Sequence, residues 1–135
     1  MKALAANVLA RFFIDDDEDD QAARQRPAAI AAMSQRAYVP VTVVLEFEWV
    51  MRGFYGLRPE ETARVLRALA GIEHISLEDR DAVLAAIDGL AQGVDFADAL
   101  HLARSAKCFA FVTFDQRLAK RASSLASAPP VELLA

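Results

Sequence analysis

The chain has a single cysteine, Cys108, so no disulfide framework can form and a reducing cytoplasm is the expected setting. Long apolar runs are absent as well. Hydrophobic residues make up 55% of the 135, yet Arg11, the acidic stretch at 15–20 and regular charges elsewhere break every run before it reaches membrane-spanning length. The N-terminus reads as one lysine and a short apolar stretch, without the longer hydrophobic region and cleavage site of a secretory signal. There is no Gly-rich phosphate loop, no Cys/His zinc spacing and no G-x-S-x-G elbow, so dinucleotide binding, zinc chemistry and serine hydrolysis lose support. Excess positive charge is missing too: the net charge of −4 argues against a broad basic surface that coats nucleic acid. It leaves room for a nuclease, because a carboxylate site adds negative charge that cations neutralise while a local group of Arg and Lys holds phosphates.

What is present is an alternation of short apolar segments with amphipathic ones. Residues 2–5 predict a short buried strand, with Asn7 as the cap of a helix through Val8, Leu9, Phe12 and Phe13. The acidic run Asp15 to Asp20 reads as a solvated connection into a helix from Ala22 to Met33, with Pro27 near its first turns or kinking it. A second strand is expected at 38–41, a helix from Thr42 to about Phe54, and another from Pro59 toward Leu69. Ile72 to Ile75 suggest a third strand and Ser76 the start of a helix through Leu90, closed by Gly93. A helix at 96–105, a strand at 108–113, a short helix at 115–122 and a strand at 131–134 complete the series. Only Ser123 to Pro130 resembles a linker, and no repeat is found. Length and order predict one domain over residues 1–135, with a parallel sheet covered on both faces.

In such sheets the ligand site lies at the carboxyl ends of the strands. Ala5 and Asp115 both fall at such ends, and Asp98 sits on the helix leading into the last apolar strand but one. Glu46 has Thr42, Val43, Trp49 and Val50 as helical neighbours, so it points from a largely apolar face; it is either a ligand held by a metal or basic partner, or an edge residue reaching water. Glu48 has Arg52 four residues on, the ordering of a surface ion pair, and is left out of the site. Asp95 and Asp98, three apart, share a helical face, Asp95 as N-cap or ligand and Asp98 as the stronger ligand in the first turn. Asp115 is a helix cap or a ligand, and Arg117, Lys120, Arg121 and Arg11 are phosphate contacts or dipole-stabilised surface cations. His101 is read as a packed or solvated residue. Carboxylates from separated segments suit magnesium, which takes oxygen ligands and keeps several waters.

The four segments Leu4-Ala5-Ala6-Asn7-Val8-Leu9, Leu45-Glu46-Phe47-Glu48-Trp49-Val50, Asp95-Phe96-Ala97-Asp98-Ala99-Leu100 and Thr113-Phe114-Asp115 occur in the order, over nearly the whole chain, that makes it resemble the PIN-domain ribonucleases. Within these it is similar to the VapC toxins of bacterial type II toxin–antitoxin pairs. The departure is Ala5, which stands where the family has its first aspartate; its intact surroundings suggest an inactivated variant, engineered or, as the rival reading, a natural pseudoenzyme. The resemblance implies a three-layer α/β/α fold with a central, mainly parallel sheet. It further implies a cytoplasmic, Mg2+- or Mn2+-dependent endoribonuclease that cuts a structured RNA such as tRNA, inhibits translation, forms a homodimer and is neutralised by a VapB-type antitoxin. Glu46, Asp98, Asp115 and the missing acid at 5 would be the ligands, Asp95 an accessory ligand and Asn7 a hydrogen-bonding support.

Two other classes are set beside this one. A binding module would grip antitoxin or RNA and cut nothing, and residual cleavage at saturating manganese separates it from an enzyme. A phosphoacceptor receiver domain is also small and doubly wound, but the acidic pair it needs directly after strand one is absent here. A metal-free carboxylate cluster also repels itself, so Ala5 is expected to leave the chain at least as heat-stable as an Ala5→Asp form.

Overall fold

Seven α-helices and five short strands alternate among the described residues of the computed structural model, which are 1–125 and 128–135. Of the linker-like stretch 123–130, positions 126 and 127 lie outside them. The chain divides into two compact units, Met1–Arg80 and Asp81–Ala135. No helix among the described residues is long and apolar enough to cross a membrane.

In the first unit β1 (Lys2–Ala3), β2 (Ala37–Val39) and β3 (Ile75–Leu77) form a parallel sheet in that order, with Ala3 opposite Tyr38 and Val39 opposite Leu77. Parallel pairing needs crossovers, and helices supply them: α1 (Ala6–Phe13) and α2 (Asp20–Met33) link β1 to β2, while α3 (Val41–Trp49) and α4 (Pro59–Ala70) link β2 to β3. Leu9, Val39, Val44, Phe47, Met51, Leu66 and Leu69 fill the core, and Phe13 stacks on Phe47 with ring centroids 5.9 Å apart. The acidic run ends as expected, with Asp19 capping α2 through the backbone N–H groups of Gln21 and Ala22. Pro27 lies within α2, which continues past it to Met33.

Several local expectations are corrected. Asn7 is not the cap of α1: the N-cap is Ala5, in extended conformation, and Asn7 is an exposed residue of the helix itself. Lys2 and Ala3 are exposed, and burial begins at Leu4. The third strand lies at 75–77 rather than 72–75, because Ile72 turns back on the end of α4, its N–H donating to the Leu69 carbonyl at 3.2 Å. The following helix starts at Arg80, not Ser76, after Asp79 takes a left-handed φ of 54°. The helix expected from Thr42 to Phe54 is α3 followed by a π-helical turn, Val50–Phe54. Pro40, at the N-cap of α3, offers no side-chain acceptor, and Glu78 fills that role, accepting from the Val41 N–H at 2.8 Å.

The second unit contains α5 (Arg80–Ala91, which begins at the boundary), α6 (Phe96–Arg104), β4 (Phe111–Thr113), α7 (Gln116–Ala122) and β5 (Val131–Leu133). Strands β4 and β5 pair in parallel, Phe111 with Val131 through Thr113 with Leu133. The parallel strands thus form one sheet of three and one of two, an α/β fold. Strand β4 is shorter and wetter than the continuous apolar run predicted: Cys108 is in a turn, its N–H donating to the Ser105 carbonyl, and Val112 is half exposed. Helix α5 approaches α6 closely at Gly89, where a Cβ would lie 2.8 Å from the Ala99 Cβ. It ends in a Schellman closure: the Val94 N–H reaches the Gly89 carbonyl at 2.9 Å, the Gly93 N–H reaches that of Leu90 at 3.0 Å, and Gly93 takes the positive φ of 93° that suits glycine.

Candidate active site

Three aspartates of the second unit line one cleft of about 200 Å³, together with Val94, Arg117 and Arg121. Each acid is delivered by the start of a helix. Asp95 caps α6, its Oδ2 accepting from the Asp98 N–H at 3.3 Å. Asp115 caps α7, its Oδ1 accepting from the Leu118 N–H at 3.0 Å while its own N–H donates to the Thr113 hydroxyl at 3.0 Å. One oxygen of each capping carboxylate is thereby occupied, and the other has no hydrogen bond among the described residues. Asp95 and Asp115 thus cap their helices and line the cleft at once.

Asp98 lies in the first turn of α6, half-buried between the two caps. Its pKa is raised above the ordinary aspartate value, first by burial, then by the negative charges of Asp95 and Asp115, with His101 opposing. Placing three carboxylates where they raise the pKa of the middle one costs folding free energy that a bound cation would offset. The donors are hard oxygens, so the set fits a divalent cation such as magnesium or manganese. Among the described residues no three acid, imidazole or thiol groups converge closely enough to hold a metal unaided.

In the first unit the positions fall differently. Ala5, at the N-cap of α1, gives no side-chain cap. Asn7 and Arg11 line a second cleft, of about 240 Å³, with Gln25, Ala28, Ala29 and Ala32 of α2. Arg11 is engaged rather than free: its Nε donates to Gln25 Oε1 at 2.9 Å and its Nη1 to the Tyr55 hydroxyl at 3.2 Å.

The two glutamates of α3 exchange the burial expected of them. Glu46 is exposed, the edge reading of its position, whereas Glu48 is 1% exposed and accepts from Arg52 Nε at 3.0 Å. The ion pair was legible; its burial was not. Both glutamates lie within regular α3; Thr42 and Trp49, neighbours from which Glu46 was read as apolar, are exposed, while Glu48 lies with the buried Val44 and Met51.

Lys120 is exposed on α7 and does not line the acidic cleft; Arg117 and Arg121 do. Arg121 Nη1 donates to the Gly93 carbonyl at 2.7 Å. Sequence reasoning did not single out Gly93 or Val94 for this site, although Gly-Val-Asp directly before a helix could have signalled a left-handed helix end running into a cap.

Comparison with curated proteins gave no match. A family model of the PIN domain matches residues 4–123, and the chain therefore belongs to the PIN domain family, whose members are generally metal-dependent nucleases.

Proposed function

We propose that this protein is the toxin of a VapC-type toxin–antitoxin pair, an Mg2+- or Mn2+-dependent endoribonuclease that acts on a structured RNA such as tRNA and is weakened in the present chain by Ala5. The observation that carries the reading is the cleft in which burial first, and then the charges of Asp95 and Asp115, hold the pKa of Asp98 high, in a chain of PIN membership. Asp98 and Asp115 are the direct ligands on this reading and Asp95 the accessory one. Glu46 and an acid at position 5 join them by their match to the family motifs, with Asn7 as a hydrogen-bonding support. When bound, the cation would polarise water and neutralise charge on the leaving oxygen in an in-line phosphodiester hydrolysis.

The chain's own part is to hold carboxylate oxygens still. The backbone N–H groups of Asp98 and Leu118 each fix one oxygen of a capping aspartate, which sets the direction of the other. Arg117 presents a guanidinium beside the acids, suited to a phosphate of the RNA backbone, with Lys120 as a further cation on the same helix. A VapB-type antitoxin is the proposed partner, a homodimer the proposed assembly, the cytoplasm the proposed location and residues 1–135 the single PIN domain. A second reading, a module that binds antitoxin or RNA without cutting, is favoured by one observation: position 5 carries a methyl group, which cannot ligate a cation.

The deciding experiment compares this chain with Ala5→Asp on total tRNA, with manganese and with EDTA. The expected result is cleavage by Ala5→Asp that EDTA abolishes, at least about a hundredfold above the present chain, the scale on which a residue directly engaged in catalysis is felt. Equal cleavage by the two would remove position 5 from the site. Absence of cleavage in both, with RNA or antitoxin still bound, would favour the binding module.

A further inference from the structure

We infer that Arg121 is a positioning residue, whose guanidinium clamps the Gly93 carbonyl and so fixes the first turn of α6, with Asp95 and Asp98, relative to α7, which begins at Asp115. The inference rests on the metal-site reading in only one of its two measurements. Arg121 leaves the last turn of α7 and bonds a backbone oxygen 28 residues away at 2.7 Å, lining the same cleft as the acids. The oxygen it holds belongs to the glycine of the Schellman closure of α5. The buried Val94 follows, and then Asp95, the cap of α6. The clamp therefore acts two residues from one acid-bearing turn, while the helix that carries it starts at the other acid.

A cation near the C-terminus of a short helix has a plainer account, a favourable interaction with the helix dipole. That account requires no particular acceptor and leaves the 92–98 segment indifferent to residue 121. Arg117 supplies the contrast, since it lines the same cleft and makes no hydrogen bond or ion pair among the described residues. The two arginines give opposite signs in one measurement. Removing a positive charge beside a cation site raises cation affinity by simple electrostatics, whereas removing a clamp that orients the ligands lowers it.

The test uses the full chain with manganese alone as probe, its free concentration followed by electron paramagnetic resonance, beside amide hydrogen exchange. Arg121→Ala should lower manganese affinity about fivefold, the scale of one charge-assisted hydrogen bond at a partly exposed site. Arg117→Ala should leave the affinity equal or higher, and Arg121→Lys, which keeps reach and charge, should recover most of the loss. Exchange of the Asp98 N–H, which is bonded to Asp95, should quicken about as much in Arg121→Ala, while the Ala86 N–H inside α5 stays as slow as before. Should Arg121→Ala lose the fold, Arg121→Met, which keeps the apolar stem and drops only the donors, carries the same two readings. Unchanged Asp98 exchange, or an affinity that rises as it does in Arg117→Ala, overturns the inference. Quickened exchange in a protein whose parent binds no manganese supports the clamp and counts against the metal site alone.

Discussion

In the N-terminal unit two acids with restricted access to water, Glu48 and Glu61, have a cation at hand. Glu48, almost fully buried, accepts from Arg52, and Glu61 accepts from the Arg58 backbone and guanidinium, which lowers its pKa. In the C-terminal unit Asp98 is partly buried with two more aspartates for neighbours, and burial first and their charges next move its pKa the other way. The first arrangement is what a fold needs when it takes a charge out of water. The second is unfavourable to the isolated chain and becomes reasonable once a cation or a phosphate-bearing partner is part of the state that matters. Which acids serve structure and which serve chemistry is therefore read from their neighbours more safely than from their burial, since the fully buried Glu48 is the structural one.

The largest expected effect is on Glu48. Glu48→Ala removes the buried partner of Arg52 and opens space beside the π-helical turn, and it should cost about 2 kcal/mol in a thermal melt. That is less than for a fully buried pair, because Arg52 is nearly half exposed and can turn to water. Glu46→Ala, on the same helix, should stay within about 0.5 kcal/mol of the parent, as exposed positions usually do. Equal losses at the two positions would erase the contrast between the paired acid and the free one. In an Ala5→Asp background the readout separates again: Glu46→Gln should abolish cleavage with the melt unchanged, and Glu48→Gln should shift the melt more than the cleavage.

The next effect is on position 5. Ala5, like Asp95 and Asp115, is an N-cap, but the only one of the three without a side-chain acceptor. Ala5→Asp can accept from the first turn of α1, a gain of about 1 kcal/mol for a cap of this kind. Charge repulsion alone predicted the opposite, a metal-free chain at least as heat-stable with Ala5. Melts of both forms in EDTA compare the two terms, and a higher midpoint for Ala5→Asp means that the cap outweighs the repulsion. If magnesium then raises both midpoints equally, position 5 is no part of the metal site.

The order of helices and strands was legible because each apolar segment is short, α1, α4 and α6 are amphipathic, and Pro59, Gly93 and the capping acids mark the boundaries. The N-cap was one of two readings left open for Asp95 by its three-residue spacing to Asp98, and Asp95 does cap α6. What failed was the choice of the buried face. Glu46 was read as core-facing from neighbours that include Thr42 and Trp49, both exposed, while Glu48 lies with the buried Val44 and Met51. Asn7 was taken for a cap because its type suits one, yet the backbone starts α1 two residues earlier, where alanine stands. The Arg121–Gly93 bond joins residues 28 apart through a side chain and a carbonyl, and no local pattern announces such a contact.

The smallest expected effect sharpens the comparison through its sign. Because Asp98 has a raised pKa, the folded chain holds a proton in the pH range just above the ordinary aspartate value, where the unfolded chain has lost it. Stability must then fall as pH rises through that window. Glu61 has a lowered pKa, so its contribution is present above the unfolded value and is lost as pH falls through the folded one. Asp98→Asn should therefore flatten the part of the metal-free stability–pH curve that declines above the aspartate range, and Glu61→Gln should flatten the part that rises toward neutral pH. Denaturant midpoints measured from acid to neutral pH in EDTA would show both, and the Asp98 segment should also vanish from the parent when magnesium is added, since a bound cation favours the charged carboxylate. If Asp98→Asn instead steepens the decline, its neighbours are not the repelling pair that the cleft presents, and the opposition between the partnered acids of one unit and the crowded acids of the other is lost.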